Sequence, residues 1–138
     1  NANDLFSGII PSIEIIDFRF GNNIKNVGIE NLIANNGASE YWIKGLNIFS
    51  LDEINLNNQV IKLYIEDKLI EEGNTNAVLG NPINSGIWVI NILAKLGEPM
   101  LKGQFISTGT CTKAVRLKSK TKIVADFGKI GKVEIKYN

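Results

Sequence analysis

Only one stretch of this 138-residue chain reads as a helix bounded at both ends. In "NPINSGIWVINILAKLG", Asn81 is a good N-cap, Pro82 suits the first helical position and Gly97 suits the stop, which predicts a helix over Pro82 to Leu96. Its polar residues Asn84, Asn91 and Lys95 form one narrow stripe, shared with Trp88, and the other faces are largely apolar. Such a helix needs protein around most of its circumference, so it is expected to lie nearly enclosed across a curved sheet.

Both flanks of that helix alternate as strands do. In "PSIEIIDFRF", Glu14, Ile16, Phe18 and Phe20 would share one strand face while Ile13, Ile15, Asp17 and Arg19 share the other. Ile29 to Ala34 predicts a short helical turn, ended by Asn35-Asn36-Gly37, and Tyr41 to Lys44 a further strand. "QVIKLYIEDKLIEEG" reads as a hairpin, with Ile61, Leu63 and Ile65 on one face and a turn over Glu66 to Lys68. In the last third "QFIST", "KAVRL", "TKIVADF" and "KVEIKY" read as strands, the last turning Val133, Ile135 and Tyr137 inward. Strands, one central helix, then strands predict an α+β fold, mainly β: a mixed, largely antiparallel roll or barrel with helical cover, in a single domain.

Composition then removes whole classes of chemistry. Histidine is absent, which excludes Ser-His-Asp and Cys-His catalysis and histidine-held zinc. The single Cys111 excludes an internal disulfide and a thiol-rich metal site, and fits a reducing, cytoplasmic setting. Any metal must be held by oxygen, which favours magnesium, manganese or calcium. A formal charge of +1 gives no field that calls for nucleic acid, and the basic residues of the last third are interleaved with apolar ones as on the outer faces of strands. No apolar run approaches the roughly 20 residues of a membrane helix, so no membrane partner is expected. The lone methionine is Met100 and the chain opens "NANDLF", so a processed product or one piece of a longer protein is expected.

Glu14 stands out because the rest of its predicted face is apolar, and a buried carboxylate needs a partner. A strand-edge position reaching water or an amide explains it equally well. Asp17 and Arg19 are close enough in sequence to interact as a structural ion pair. "STGTCT", Ser107 to Thr112, places four hydroxyls around Gly109, where amides and hydroxyls can hold an anion. Cys111 in that run reads as a small packing residue rather than a nucleophile.

Four stretches, "PSIEIIDFR", "IANNGASEYWIKG", "LGNPINSGIWVINILAKLGEPMLKGQFISTGT" and "ADFGKIGKVEIKY", resemble in order and spacing the C-terminal half of the 2-keto-4-pentenoate hydratase and 4-oxalocrotonate decarboxylase group of the fumarylacetoacetase-like superfamily. The resemblance covers the chain from about residue 10 to its end. It implies a β-roll in which a divalent metal, magnesium or manganese, binds the 2-oxo end of a small unsaturated acid of the 2-hydroxypenta-2,4-dienoate type. It also implies a hydro-lyase or decarboxylase of aromatic catabolism, assembled as a homo-oligomer and able to associate with a partner decarboxylase or hydratase. In the family's E-x-x-D-x-R stretch the glutamate is a metal ligand, and that position is Glu14. Asn36, Thr108 and Thr110 are implied to lie near the bound oxo acid. No catalytic acid or base is assigned.

The departures point the other way. The family's A-D-N-A-S stands here as Ala34-Asn35-Asn36-Gly37-Ala38, with Asn35 in place of the acid and Ala38 in place of the serine, while Ser39 follows one position on. The E-x-E pair that supplies the family's other two metal carboxylates lies upstream of the stretch matched by Pro11 to Phe20 and is not in this sequence. Two further readings therefore stand beside the enzyme: a non-catalytic subunit or degenerate member that supports an active partner, and a small-molecule-binding β-roll without chemistry.

Overall fold

The computed structural model describes residues 2–21, 27–118 and 120–137. In chain order these form a four-residue helix α1 (Ala2–Leu5), strand β1 (Ser12–Ile16), a short helix α2 (Ile29–Ala34), strands β2 (Ser39–Lys44), β3 (Val60–Ile65) and β4 (Lys68–Asn74), helix α3 (Pro82–Lys95), and strands β5 (Thr121–Asp126) and β6 (Lys132–Tyr137). The fold is α+β and mainly sheet, with one long helix. Part of the expected polar connection Gly21 to Gly28 lies outside the described residues.

The strands form two sheets, a β1–β2 pair and a four-stranded sheet in the order β4-β3-β5-β6, and every described pairing is antiparallel. The β3–β4 hairpin turns on Glu66 and Asp67, both at positive φ (47° and 61°), the backbone that a two-residue turn between twisted strands requires. The four-stranded sheet holds most of the core. Ile61, Ile123, Ala125 and Val133 are buried on it, and Ile130 of the β5–β6 connection closes against them at 2% exposure.

The helix ends where the sequence places them, within a residue. Asn81 accepts a hydrogen bond from the Ile83 N–H at 2.9 Å, and Pro82 opens the first turn. At the other end the Glu98 N–H donates to the Leu93 carbonyl and the Gly97 N–H to that of Ala94, with Gly97 at φ 80°, which is a Schellman stop.

Its surroundings differ from expectation. Only Pro82 and Gly86 of α3 are buried, Trp88 and Leu96 are exposed, and no described strand packs broadly against it. The closest cover is Phe6, whose ring sits where a Cβ on Gly86 would come within 2.8 Å. The apolar residues Ile83, Ile87, Val89, Ile90, Ile92 and Leu93 are half-buried, so the helix is partly covered rather than enclosed. The segment Thr75–Lys95 has the length and hydropathy of a membrane span by composition. Its regular helix is 14 residues, about 21 Å at 1.5 Å per residue, and falls short of a hydrocarbon core about 30 Å thick.

Two expected strands are absent. "QFIST" and "KAVRL" lie in an irregular run over residues 101–118 that pairs with none of the described strands, and a strand needs a partner for its amides. That run is pinned where it crosses β4: a Cβ on Gly73 would overlap the Cys111 carbonyl, so only glycine lets the two backbones meet.

Candidate functional site

Between the sheets opens a cleft of about 1660 Å³. It is lined by β1, by the inward residues Ile61, Leu63, Ile123 and Ala125 of the larger sheet, and by the irregular run 100–117. Glu14, Thr108 and Thr110 all line it. Three of the four residues singled out in the sequence therefore face one space. Asn36 does not: it is exposed at the end of α2, at φ 52°, away from the cleft lining.

Strand β1 stops at Ile16, so Phe18 and Phe20 are not on the face of Glu14; they stack edge to face on each other at 6.1 Å beyond the strand. Glu14 is exposed. The antiparallel register sets it opposite Trp42, and Lys44 sits two residues further along β2, diagonal to the carboxylate. Trp42 packs on Phe105 with ring centroids 5.5 Å apart, and the Lys44 ammonium lies 4.2 Å over the same Phe105 ring. Glu14 thus meets an aromatic and cationic cluster and open solvent, not an apolar interior. The cluster could not be found from sequence, because it depends on pairing register and on a loop some sixty residues away.

On the opposite wall Thr108 is half-buried, while Thr110 is exposed and occupied locally. Its hydroxyl donates to the Thr112 carbonyl at 2.9 Å and accepts from the Thr112 N–H at 3.4 Å, a closed turn. Burial pushes the Cys111 thiol up from its ordinary range, which disfavours the thiolate and fits a packing role.

Arg19 bonds neither Asp17 nor solvent alone. Its guanidinium donates to Asn35 Oδ1 at 2.8 Å and pairs with Glu40. Arginine is donor only, so Asn35 must present its oxygen, and its Nδ2, fully buried, meets no acceptor among the described residues. Asn35 itself is 5% exposed. The acid-to-amide change at this position therefore leaves Arg19 to find its carboxylate on β2.

No three Asp, Glu, His or Cys side chains come together among the described residues as a metal ion would use them. A divalent ion of the magnesium or calcium type takes six or more oxygens, several from carboxylates. Glu14 offers one carboxylate. The residues present do not by themselves make a metal centre.

Comparison with known proteins supplies the class. No protein-family model matches the chain. It is 31% identical over 125 residues to the 2-keto-4-pentenoate hydratase 1 of Dechloromonas aromatica (strain RCB), covering 90% of this chain and 46% of that protein. It is 30% identical over 129 residues to a 4-oxalocrotonate decarboxylase of Pseudomonas putida, covering 94% and 48%. In sequence, then, the chain is similar to 2-keto-4-pentenoate hydratases and 4-oxalocrotonate decarboxylases and fits their C-terminal part. In fold it is similar to the 4-oxalocrotonate decarboxylase from Pseudomonas putida G7 in complex with magnesium and adipate, at a TM-score of 0.83 and 31% identity over 94% of this chain and 48% of that one. The same enzyme in complex with calcium and acetate gives 0.81. The chain spans about half the length of the relatives it matches.

Proposed function

We propose that this chain forms one side of the active site of a hydratase-like lyase, acting on a small unsaturated 2-oxo or 2-hydroxy acid of the 2-hydroxypenta-2,4-dienoate type in aromatic catabolism. In this reading residues 1–138 are the C-terminal, core-forming domain of a longer fumarylacetoacetase-like chain, and the two open sheets are parts of one β-roll. The observation that carries it is the convergence of Glu14, Thr108 and Thr110 on a single cleft in a chain similar to hydratases and a decarboxylase.

Within that cleft the roles are those that the resemblance implies. Glu14 would give one carboxylate to an oxygen-held divalent ion, Mg or Mn, whose other carboxylates come from beyond these residues. The Thr108 hydroxyl and the amides around Gly109 would orient the acid end of a substrate by hydrogen bonds, and Thr110 can join only by releasing its turn. The assignment of Asn36 to the oxo acid rests on the resemblance alone. A cytoplasmic homo-oligomer, with or without a partner decarboxylase or hydratase, is the setting the family suggests.

A second reading has one observation in its favour: a lone carboxylate is what a non-catalytic supporting subunit would retain. Magnesium-dependent hydration of 2-hydroxypenta-2,4-dienoate by the full-length protein, followed by loss of the diene absorbance, separates the two. Activity that falls by two orders of magnitude or more, roughly 3 kcal/mol of barrier, in Glu14→Ala supports the enzyme. Unchanged activity in Glu14→Ala removes this residue from the site. No hydration in the presence of magnesium or manganese leaves the supporting subunit.

A further inference from the structure

The turn between α2 and β2 runs through three consecutive left-handed residues, Asn36, Gly37 and Ala38, at φ 52°, 63° and 66°. Left-handed backbone is ordinary for glycine, tolerated by asparagine and strained for alanine. Asn36 and Gly37 are exposed, and a Cβ built on Gly37 would meet no atom within 4 Å. Two backbone hydrogen bonds close the turn, from the Ala38 N–H to the Asn35 carbonyl and from the Ser39 N–H to that of Asn36, and neither uses the Gly37 N–H. Asn36-Gly37 is also the only Asn-Gly pair in the sequence.

We propose that Asn36 is a site of spontaneous deamidation, and that the change loosens the tie between the end of β1 and the start of β2. The Gly37 nitrogen gives up its proton to water and attacks the side-chain carbonyl carbon of Asn36. A C–N bond forms, the bond to Nδ2 breaks and ammonia leaves, which closes a succinimide ring. Water then opens the ring at either carbonyl. Opening at the side-chain carbonyl leaves aspartate, and opening at the main-chain carbonyl leaves isoaspartate, with the chain running through the former side chain. In sum one amide and one water become a carboxylate and an ammonium ion, with no oxidant, reductant or enzyme. A glycine nitrogen suits the attack because no Cβ shields it, and an exposed, strained turn can reach the reacting geometry where a helix or strand would hold the amide away.

What is anchored on the turn gives the change its effect. The Asp17 N–H donates to the Ala38 carbonyl at 2.9 Å and the Arg19 guanidinium to Asn35 Oδ1 at 2.8 Å, so the residues that follow β1 are held by this turn. Asp17 and Phe18 also line the cleft. Isoaspartate lengthens the backbone by one atom between Asn35 and Ala38, and either product adds a negative charge. The inference stands whether or not the chain hydrates a dienoate. A comparison lies within the same chain: Asn84-Ser85, the one Asn-Ser pair, sits in α3, where Asn84 Nδ2 already donates to the Leu79 carbonyl at 2.9 Å.

The test incubates the full-length protein at physiological temperature, folded and in guanidinium chloride, at neutral and at mildly acidic pH. Mass spectrometry of digests locates the change, and enzymatic methylation detects isoaspartate. In the folded protein Asn36 should react at least about tenfold faster than Asn84, a barrier lower by about 1.4 kcal/mol, and faster at the higher pH because the attacking amide must lose its proton. Denaturation should change the Asn36 rate by less than about threefold, since no unfolding is needed to reach it, and should speed Asn84 as its helix melts. Gly37→Asn, which keeps a residue tolerant of left-handed backbone in open space, should slow the reaction at Asn36 at least about tenfold. The modified form, separated by its added charge, should exchange the Asp17 amide at least about tenfold faster, with β5 unchanged. An Asn36 that stays intact in the folded protein overturns the proposal, whatever it does in guanidinium chloride. So does a Gly37→Asn rate equal to the parent's, or a modified form whose Asp17 amide exchanges as before. Should Gly37→Asn fail to fold, the parent's folded-to-denatured ratio decides alone.

Discussion

Strands β1 (SIEII) and β5 (TKIVAD) carry three apolar residues each, and their environments diverge. In β5, Ile123 and Ala125 alternate inward and are nearly inaccessible, in a strand that has a neighbour on each edge. In β1 no residue is buried, and Ile16 is 48% exposed. The difference is not one of hydrophobicity. Both strands border the cleft, but β5 lies between two neighbours in a four-stranded sheet while β1 has a single partner strand.

The contrast can be tested where it is strongest. Ile123→Ala should cost about 2–5 kcal/mol, read as a lower urea midpoint with an unchanged slope, because it truncates a side chain that is 2% exposed. A loss under 1 kcal/mol would mean that the larger sheet is as loosely filled as the smaller one. Gly73→Ala should cost about 1–3 kcal/mol by forcing residues 110–112 off β4, and should speed the reaction of Cys111 with a disulfide reagent. A stable variant with an unreactive thiol would show that the run 100–117 is not pinned at this point.

Ile16→Lys, on the open side, should change the stability of the 138-residue chain by no more than about 0.5 kcal/mol. A cost like that of Ile123→Ala would put β1 in a finished core and erase the contrast. The smallest effect belongs to Asp126 at the end of β5. Its carboxyl is held below its ordinary range chiefly by the hydrogen bond from the Lys132 ammonium at 2.8 Å, with help from the Gly128 N–H at 2.9 Å. A lowered folded pKa gives stability that is present above the unfolded value, near 3.8, and is lost as pH falls through the folded one. Asp126→Asn should therefore lower the melting temperature slightly at pH 6 and flatten its fall below pH 4. An acid limb as steep as the parent's would remove this pair from the balance.

Local pattern was enough for some of this. The caps of α3, the period of β3, β5 and β6 and the turn at Glu66 are written in neighbouring residues, and the structure keeps each of them within a residue or two. The run 101–118 shows the limit. "QFIST" and "KAVRL" have strand-like composition, yet a strand exists only where another strand accepts its hydrogen bonds, and none of the described strands does so. The same holds for the candidate site. That Glu14, Thr108 and Thr110 deserved notice came from residue type and from resemblance to a family. That they line one cleft, that Asn36 does not, and that Arg19 reaches Glu40 across from Asn35 came only from register and packing.

The sequence by itself determined the caps of α3, the β3–β4 hairpin and the chemistry excluded: without histidine and with one cysteine, any metal here must be held by oxygen. It also carried the family resemblance, since four short stretches keep their order and spacing. Tertiary structure decided the environment of each side chain. A carboxylate on a strand is a ligand, a surface charge or a buried ion according to what faces it, and what faces Glu14 is Trp42, Lys44 and an open cleft rather than two further carboxylates. Local sequence fixes period and direction because those depend on residues a few positions apart. It cannot fix what meets across a gap, because that depends on every element that closes the gap.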